Sequence, residues 1–270
     1  MLPIFECPLR VQAGDADGSG RLKASSVFNH IQNLAAIHAE SLGAGIEQIL
    51  KLGMFWVLSW ARLEFARFPM FGDELSAKTW PKCRYKLFSI RDFLFLDKNG
   101  DVFCRATTAW LLVDLKTKRA KSAMCLPSGI PYQEGEHALC CYPERLDSPP
   151  DCTTLFTRLI RYSDLDVNRH VNNARYTEYL MDCYGEEHHR KQQIRSLTIA
   201  FVAEAKYGDE IALCMARGAN EGSLHALEVR NAGTNKPVVQ ALVEWVSSSP
   251  CLPFHKGLID SVHPETHCSN

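Results

Sequence analysis

The sequence predicts an α+β fold made of two copies of one unit, each a long helix followed by an antiparallel sheet. Three observations carry this. The chain repeats itself: Asp15-Ala16-Asp17-Gly18-Ser19-Gly20-Arg21-Leu22 aligns with Asp164-Leu165-Asp166-Val167-Asn168-Arg169-His170-Val171, a step of 149 from residue 15 to residue 164. Further on, Phe71-Gly72-Asp73-Glu74-Leu75 aligns with Tyr207-Gly208-Asp209-Glu210-Ile211, a step of 136 from Gly72 to Gly208. Ala109-Trp110 aligns with Glu244-Trp245, a step of 135. Each copy then carries apolar residues at helical spacing directly after its first repeated segment. Finally, Asp97-Lys98-Asn99-Gly100-Asp101 holds the Asn-Gly signal of a tight hairpin between two strands.

In the first copy a short strand enters the polar turn at 15–22, and Val27, Ile31, Leu34, Ala35 and His38 hold the period of a helix. The drop in step from 149 to 136 gives this copy about 13 extra residues, which the stretch from Gly45 to Gly53 can supply. Strands follow at about 56–67, 74–82, 87–97 and 102–114. Residues 128–155, with Pro131, Pro149 and Pro150, read as a linker. The second copy places a helix on Tyr176, Tyr179, Leu180 and Cys183, with Asn172 or Asn173 as its N-cap. Its strands are expected near 195–204, 209–217, 224–231 and 237–247, followed by an irregular tail. The expected division is 1–127, linker 128–155, 156–249 and tail 250–270.

A chain of 270 residues is natural for two domains of about 130. With 46% hydrophobic and 23% charged residues the composition is that of an ordinary soluble protein. A formal net charge of −1 gives no bulk attraction to nucleic acid. No apolar run reaches the roughly 18 residues of a membrane span, and the N-terminus lacks the basic start and apolar run of a signal peptide. The 11 cysteines are odd in number and show no C-x-x-C spacing, so they are expected to be free thiols in a reducing cytoplasm. The segment from Asp15 resembles the first half of a calcium loop, but its twelfth position is Ser26 where a bidentate Glu is required. It reads as the degenerate counterpart of the second copy's motif.

That motif is Tyr162-Ser163-Asp164-Leu165-Asp166-Val167-Asn168-Arg169-His170-Val171-Asn172-Asn173. It sets a carboxylate, a carboxamide and an imidazole at alternate positions, Asp166, Asn168 and His170. In an extended segment these share one face. They stand just before a helix N-terminus, where backbone N–H groups and the helix dipole favour negative charge. In the first copy Asn168 corresponds to Ser19, His170 to Arg21 and Glu204 to Phe68. A purely structural role would be kept in both copies, so the asymmetry points to function in the second.

The run Asp-Leu-Asp-Val-Asn-x-His-Val-Asn-Asn and the later Ile199-Ala-Phe-Val-Ala-Glu204-Ala205-Lys-Tyr-Gly-Asp resemble the acyl-acyl-carrier-protein thioesterases, over about residues 5–247. The resemblance implies a tandem hotdog fold, each unit a central helix wrapped by an antiparallel sheet. It implies hydrolysis of fatty acyl-carrier-protein thioesters, with Asp166, Asn168, His170 and Glu204 at the catalytic positions and no cofactor or metal. A Cys follows that Glu in plant members; here the position is Ala205, which leaves a carboxylate-driven hydrolysis. Either Glu204 or Asp166 would activate water or attack. His170 would share the proton, Asn168 would hold the carbonyl or the water, and backbone N–H groups near Val171 and Asn172 would complete an oxyanion site. The resemblance also puts the acyl chain in the first unit, where Trp56 and Trp60 are expected among the lining residues. The implied partner is acyl carrier protein with its phosphopantetheine-linked chain, and Arg169 and Arg175 are expected to meet it. Acyl-coenzyme A as substrate, a non-catalytic acyl-binding role and a homodimer stay open.

Overall fold

The structure is a computed structural model that describes residues 3–126, 129–149, 151–216 and 223–248. The tail expected at 250–270 lies outside the described residues. In chain order the first unit comprises β1 (Phe5–Arg10), α1 (Ala24–Ser41), α2 (Ile46–Lys51), β2 (Met54–Phe65), β3 (Glu74–Tyr85), β4 (Phe88–Asp97), β5 (Val102–Asp114) and the short β6 (Ala120–Lys121). The second comprises β7 (Cys152–Leu159), α3 (Asn173–Met181), α4 (Glu186–Lys191), β8 (Gln192–Phe201), β9 (Glu210–Ala216), β10 (Leu224–Asn231) and β11 (Pro237–Ser247).

The strands form one sheet in the order β1-β3-β4-β5-β2-β8-β11-β10-β9-β7, with β6 added to β5. The second five strands repeat the first five in reverse, as a two-fold axis requires. Arg62 and Thr198, which are copies of each other at the step of 136, pair directly across the β2–β8 junction, so the axis passes between them. The Arg62 guanidinium donates to Thr198 Oγ1 at 3.1 Å. All the strand pairs are antiparallel, and this is the tandem hotdog architecture.

α1 and α3 pack against each other and against one face of this sheet. Val27, Phe28, Ile31 and Leu34 of α1 share a core with Tyr176, Tyr179 and Leu180 of α3 and with Leu63, Phe93, Leu197 and Ile199 from the strands. The helical spacing of these residues is what turns one apolar stripe of each helix to the sheet. Cys183 lies just past the end of α3 rather than on its stripe, half-buried.

Three expectations are corrected. The extra residues of the first copy lie chiefly in its first helix: α1 has 18 residues and α3 nine. The stretch from Gly45 forms α2, which has its own counterpart in α4, each of six residues. Trp60 does not face the helices. The register of β2 shifts between Leu58 and Trp60, and this bulge at Ser59 sends Trp60 to the opposite face, onto Ile90, Ala109 and Cys141. Residues 152–155 belong to strand β7, not to the linker.

The connecting segment 129–149 is pinned across the back of the sheet. Lys82 and Asp92 form an ion pair at 3.4 Å, with both side chains essentially inaccessible. Asp92 also accepts the Ala138 N–H at 2.7 Å and the Thr107 hydroxyl at 2.6 Å, while Lys82 donates to the Leu139 carbonyl. The Trp80 indole N–H reaches the Glu136 carbonyl at 3.1 Å. Near its far end, Ser148 donates to Glu228, which is buried beside Gln240 and Arg230. Burial raises the Asp92 carboxyl above its ordinary value even though Lys82, Thr107 and Ala138 each pull it down. Such a pair fixes where the segment lies more than it adds to stability.

Candidate active site

The motif is a tight loop, not an extended strand. Asp166 N–H donates to the His170 carbonyl at 2.8 Å, and Arg169 N–H to the Asp166 carbonyl at 3.0 Å. Arg169 itself takes the left-handed conformation, φ 65°. Asp166, Asn168 and His170 therefore stand around one turn, and the Asp166 carboxylate points back into it. Its Oδ1 accepts the backbone N–H of Asn168 at 2.8 Å and of His170 at 3.2 Å. The Asn168 carboxamide, exposed, reaches the other oxygen at 3.4 Å.

The first unit builds the same loop. Asp17 Oδ1 accepts from Ser19 N–H at 2.8 Å and from Arg21 N–H at 3.0 Å. Asp17 N–H donates to the Arg21 carbonyl, and Gly20, at φ 82°, stands where Arg169 does. What Asp166 does here is what Asp17 does in a unit without the other polar groups: it shapes the turn.

Glu204 sits beyond the end of β8, in the connection to β9, rather than within a strand. This connection is sewn to the motif loop by the Val171 N–H, which donates to the Ala205 carbonyl at 3.3 Å. That bond places Glu204 beside His170: Nε2 and Oε2 are 3.1 Å apart, with side chains 31% and 49% exposed. At the corresponding place in the first unit, Arg21 donates from Nε to Ser19 Oγ and from Nη2 to the His189 carbonyl, and Phe68 stacks on Phe65.

The Val171 and Asn172 N–H groups, near which an oxyanion site was expected, are both engaged within the protein. Val171 N–H is spent on Ala205, and Asn172 N–H donates to the Asp164 carbonyl at 2.9 Å. Both bonds recur in the first unit, from Leu22 to Pro69 and from Lys23 to Asp15, so they are fold bonds. Asn172 is instead the N-cap of α3, its Oδ1 accepting Ala174 N–H at 2.9 Å. Arg175 N–H donates to the Asn172 carbonyl. Among the described residues, the Asn173 N–H is left without an acceptor in this first turn.

Gln32 is a residue that the sequence reading missed. It stands on α1 of the first unit, and its amide donates to Asn172 Oδ1 at 3.1 Å while its Oε1 lies 3.5 Å from Asn173 Nδ2. The first unit thus braces the motif of the second. No local pattern marks this glutamine, because the contact spans 140 residues.

Of the two tryptophans, Trp56 packs with Ala44, Ile49, Met54 and Leu112 and donates to the Ala44 carbonyl at 3.0 Å, which props α2 against the sheet. Trp60 lies under the connecting segment, as described above. Arg175 is engaged by Glu178 and by the Ser163 carbonyl, so it does not offer a free charge. Cys183 is a poor nucleophile: burial pushes its thiol up to about 12. The nine cysteines among the described residues are all free thiols. Among those residues no group of three or more His, Cys, Asp or Glu side chains is placed to hold a metal ion, and no helix is long and apolar enough to cross a membrane.

Comparison with known proteins bears on this geometry. Residues 4–124 match the profile of the acyl-ACP thioesterase N-terminal domain, and residues 153–247 that of the acyl-ACP thioesterase C-terminal domain. A palmitoyl-acyl carrier protein thioesterase, chloroplastic, of Arabidopsis thaliana is 25% identical over 273 residues, which cover 92% of this chain and 65% of the plant protein. An oleoyl-acyl carrier protein thioesterase of the same plant is 24% identical over 205 residues, 69% of this chain and 56% of its own length. The chain thus spans less than two thirds of these relatives. Among solved structures, an acyl-ACP thioesterase from Bacteroides thetaiotaomicron superposes with a TM-score of 0.82 at 27% identity, covering 90% of this chain and 98% of its own. The 12:0-ACP thioesterase from Umbellularia californica shares the fold with a TM-score of 0.73 at 21% identity, covering 92% and 99%.

Proposed function

The chain belongs to the acyl-acyl-carrier-protein thioesterase family, and from that premise we propose that it hydrolyses the thioester of a fatty acyl chain on acyl carrier protein, releasing free fatty acid and ending chain elongation. The observation that carries the reading is the contact of His170 with Glu204, 3.1 Å, in the unit whose counterpart holds Arg21 and Phe68 instead. An imidazole on a carboxylate is a proton-transfer pair.

In this reading Glu204 takes a proton from water as the water oxygen attacks the thioester carbonyl carbon. The carbonyl oxygen becomes an oxyanion, which needs donors aimed at it. With Val171 and Asn172 engaged, the donors are the Asn168 carboxamide and the Asn173 N–H at the start of α3. His170 holds the Glu204 carboxylate and passes the proton to the departing sulfur as the carbon–sulfur bond breaks. The products are the carboxylic acid and the free thiol of the carrier. Asp166 positions Asn168 and His170 by holding their loop, which leaves Glu204 as the base. Support comes from the matching role of Asp17 in the other unit.

The acyl chain is proposed to lie in the first unit, between α1 and the sheet and toward Trp56, with Trp60 excluded by its face. The division into a chain-holding first unit and a reacting second unit that starts with β7 at Cys152, joined by the connecting segment, goes with this reading. The free thiols suit a reducing cytoplasm. The test is a hydrolysis assay on acyl-carrier-protein and acyl-coenzyme A esters of several chain lengths. Release of free acid from the carrier esters is expected. No turnover on any ester refutes the reading, and turnover confined to coenzyme A esters moves it to that carrier.

A further inference from the structure

The space under α1 differs from the space under α3 in size and in what closes it. Both helices lie on the same face of the sheet, and the repeat gives each position its counterpart. Ala35 stands at the place of Tyr184, at the step of 149, and Ala61 and Ala77 at the places of Leu197 and Leu213, at the step of 136. All of them belong to, or pack against, the core between helices and sheet. The first unit is therefore smaller by one tyrosine ring and two leucine branches where its helix meets its sheet. In the second unit Tyr184 fills that end, its hydroxyl 3.1 Å from His225 Nδ1 and its ring stacked on the His225 imidazole and edge-on to Trp245. An apolar chain has room under α1 that α3 does not give.

The far end of this space holds a cation. Leu75 pairs with Asp97 and Ile211 with Asn231, so β4 and β10 align at a step of 134 from Asp97 to Asn231, and Arg91 takes the place of His225. Arg91 faces α1. Its Nη1 donates to His38 Nδ1 on the buried stripe of that helix at 3.0 Å and to Thr79 Oγ1 at 3.2 Å. An arginine only donates, so His38 Nδ1 accepts and the imidazole is neutral there. The second unit has Met215 at the place of Thr79 and Val243 at that of Thr108, whose hydroxyl donates to the Arg91 carbonyl at 3.1 Å. A permanent charge thus stands in the first unit where the second has an imidazole packed among aromatic rings.

That charge has no countercharge. Burial lowers the Arg91 pKa to about 10, and the group that raises it again is the Tyr132 phenol, not an acid. Asp92, the next residue, points to the other face and is matched by Lys82. Among the described residues, Arg91 Nε and Nη2 donate to no protein acceptor. They are not sealed in either, for the residue keeps 8% of its surface open. A buried cation is costly unless it is paired and hydrogen-bonded, so an acceptor from outside the protein has a place to fill. The place is in line with the reacting groups. Gln32 of α1 touches the motif, and His38, six residues on, lies about 9 Å further along the helix axis. A chain that starts at the His170–Glu204 pair and runs under α1 reaches Arg91 with its far end.

We propose that Arg91 is a specificity-determining residue that reads the far end of the acyl chain, and that the chains it favours carry an oxygen acceptor there, a hydroxyl or a carboxylate, received by Nε and Nη2. The proposal rests on the thioesterase reading and names the class of its substrate. His38 and Thr79 hold the guanidinium by Nη1 and leave its other nitrogens for the ligand. A methyl end would strip water from those nitrogens and offer them no acceptor, which costs more than the contact returns. A site built to bond an oxygen rejects the analogue that lacks it for this reason.

The test compares carrier-protein esters whose chains end in methyl, hydroxyl or carboxylate, matched at each of several lengths, on wild type and on Arg91→Leu. In wild type, kcat/KM for the better oxygen-ended chain is expected to exceed that for its methyl-ended match about tenfold or more, the worth of one hydrogen bond to a charged group. Arg91→Leu should lose or reverse that preference while hydrolysing the methyl-ended ester at least as well. Titration of S-alkyl-pantetheine thioethers with the same three ends, which cannot be hydrolysed, reads the preference in wild type without turnover and without the variant. A wild type that favours the methyl end, or does not distinguish the ends, overturns the proposal. So does an equal loss on all three esters in Arg91→Leu, which would make Arg91 a brace for α1, or a preference that survives the substitution, which would put the reader elsewhere. If wild type hydrolyses no ester, the thioesterase reading fails, and the thioether titration still decides the subsite.

Discussion

The two units are built on one backbone plan and differ in what they hang on it. Both close the same loop on an aspartate, Asp17 or Asp166, and both follow it with a helix. Both turn into the third strand through a glycine at positive φ, Gly72 at 89° and Gly208 at 85°. Both bury a carboxylate at the same place on the back of the sheet, Asp92 or Glu228, and each holds the connecting segment there. Only the second has an imidazole facing a carboxylate across the two loops. The comparison separates residues that make the fold from residues that use it, inside one molecule, with the first unit as a built-in control. By that measure Asp166, Val171 N–H and Asn172 N–H belong to the fold, and His170, Asn168 and Glu204 are the residues proposed for the chemistry.

The largest expected effect tests the second group. Glu204→Gln keeps size and hydrogen-bonding reach but cannot take a proton, and His170→Ala removes the partner. Each should lower kcat about 10²–10⁴-fold, the usual worth of a general acid or base, with a melting temperature close to wild type. A variant with near wild-type turnover would remove that residue from the mechanism.

The converse change should cost stability and spare the rate. Lys82→Met leaves Asp92 buried without its cation. Removing one partner of a buried pair costs about 3–5 kcal/mol, and Thr107 and the Ala138 N–H retain part of the compensation. Denaturant unfolding should show the loss, while kcat of the folded fraction stays near wild type. A stable Lys82→Met protein with a collapsed kcat would show that the connecting segment governs the site instead of only crossing the sheet.

The comparison is sharpest at the paired aspartates. Asp166→Asn and Asp17→Asn each replace a charged acceptor of two backbone N–H groups with a neutral one. Hydrogen bonds to charged groups contribute about 1.5–3 kcal/mol each, and the amide retains part of that. Similar losses of stability are expected from the two, with activity falling in Asp166→Asn only as far as Asn168 and His170 are displaced. A drop of kcat in Asp166→Asn comparable with that of Glu204→Gln, at unchanged stability, would make Asp166 the reacting carboxylate and refute its assignment as a loop former.

Much of this plan is legible in the sequence because turns are written in local chemistry. Gly72 and Gly208 take φ values that favour glycine, and Asp15, Asp17, Asp164 and Asp166 cap or close their own turns, so the repeat could be aligned through them. The positions where the reading failed are those set by geometry or by distance. Periodicity on β2 puts Trp60 with the helix-facing residues until the bulge at Ser59 reverses the face. Alternation across 166–170 suggested a strand face, whereas Arg169 at positive φ turns the segment into a loop. Gln32 has no counterpart of its kind in the second unit, where Met181 occupies the place, and its contact crosses between units. The back latch had a weak signal in Lys82 and Asp92, charges set within two strands that are otherwise mostly apolar or small, but nothing local said what they would hold.

The smallest expected effect concerns α4, which the first unit matches with α2. There Gln48 stands at the place of His188. His188 lies against Tyr184, at 4.7 Å between ring centroids, and edge-on to Trp245 at 4.4 Å, with His189 and His225 also in the cluster. Its Nε2 is buried with no hydrogen-bond partner, so a proton there would be unsatisfied. Burial, with the two neighbouring imidazoles, lowers its pKa below the ordinary 6.5. The unfolded chain therefore takes up a proton near pH 6.5 that the folded chain refuses. The stability that neutral His188 contributes is intact above that pH and declines as the pH falls below it, levelling off once the folded value is passed. His30, lowered by its own burial, adds to the same limb. His188→Gln, the first unit's residue, should remove part of the decline in melting temperature between about pH 6.5 and 5 while leaving the value at pH 8 little changed. An acid limb as steep in His188→Gln as in wild type would mean that the cluster tolerates the charge, and that the difference between α4 and α2 is one of packing alone.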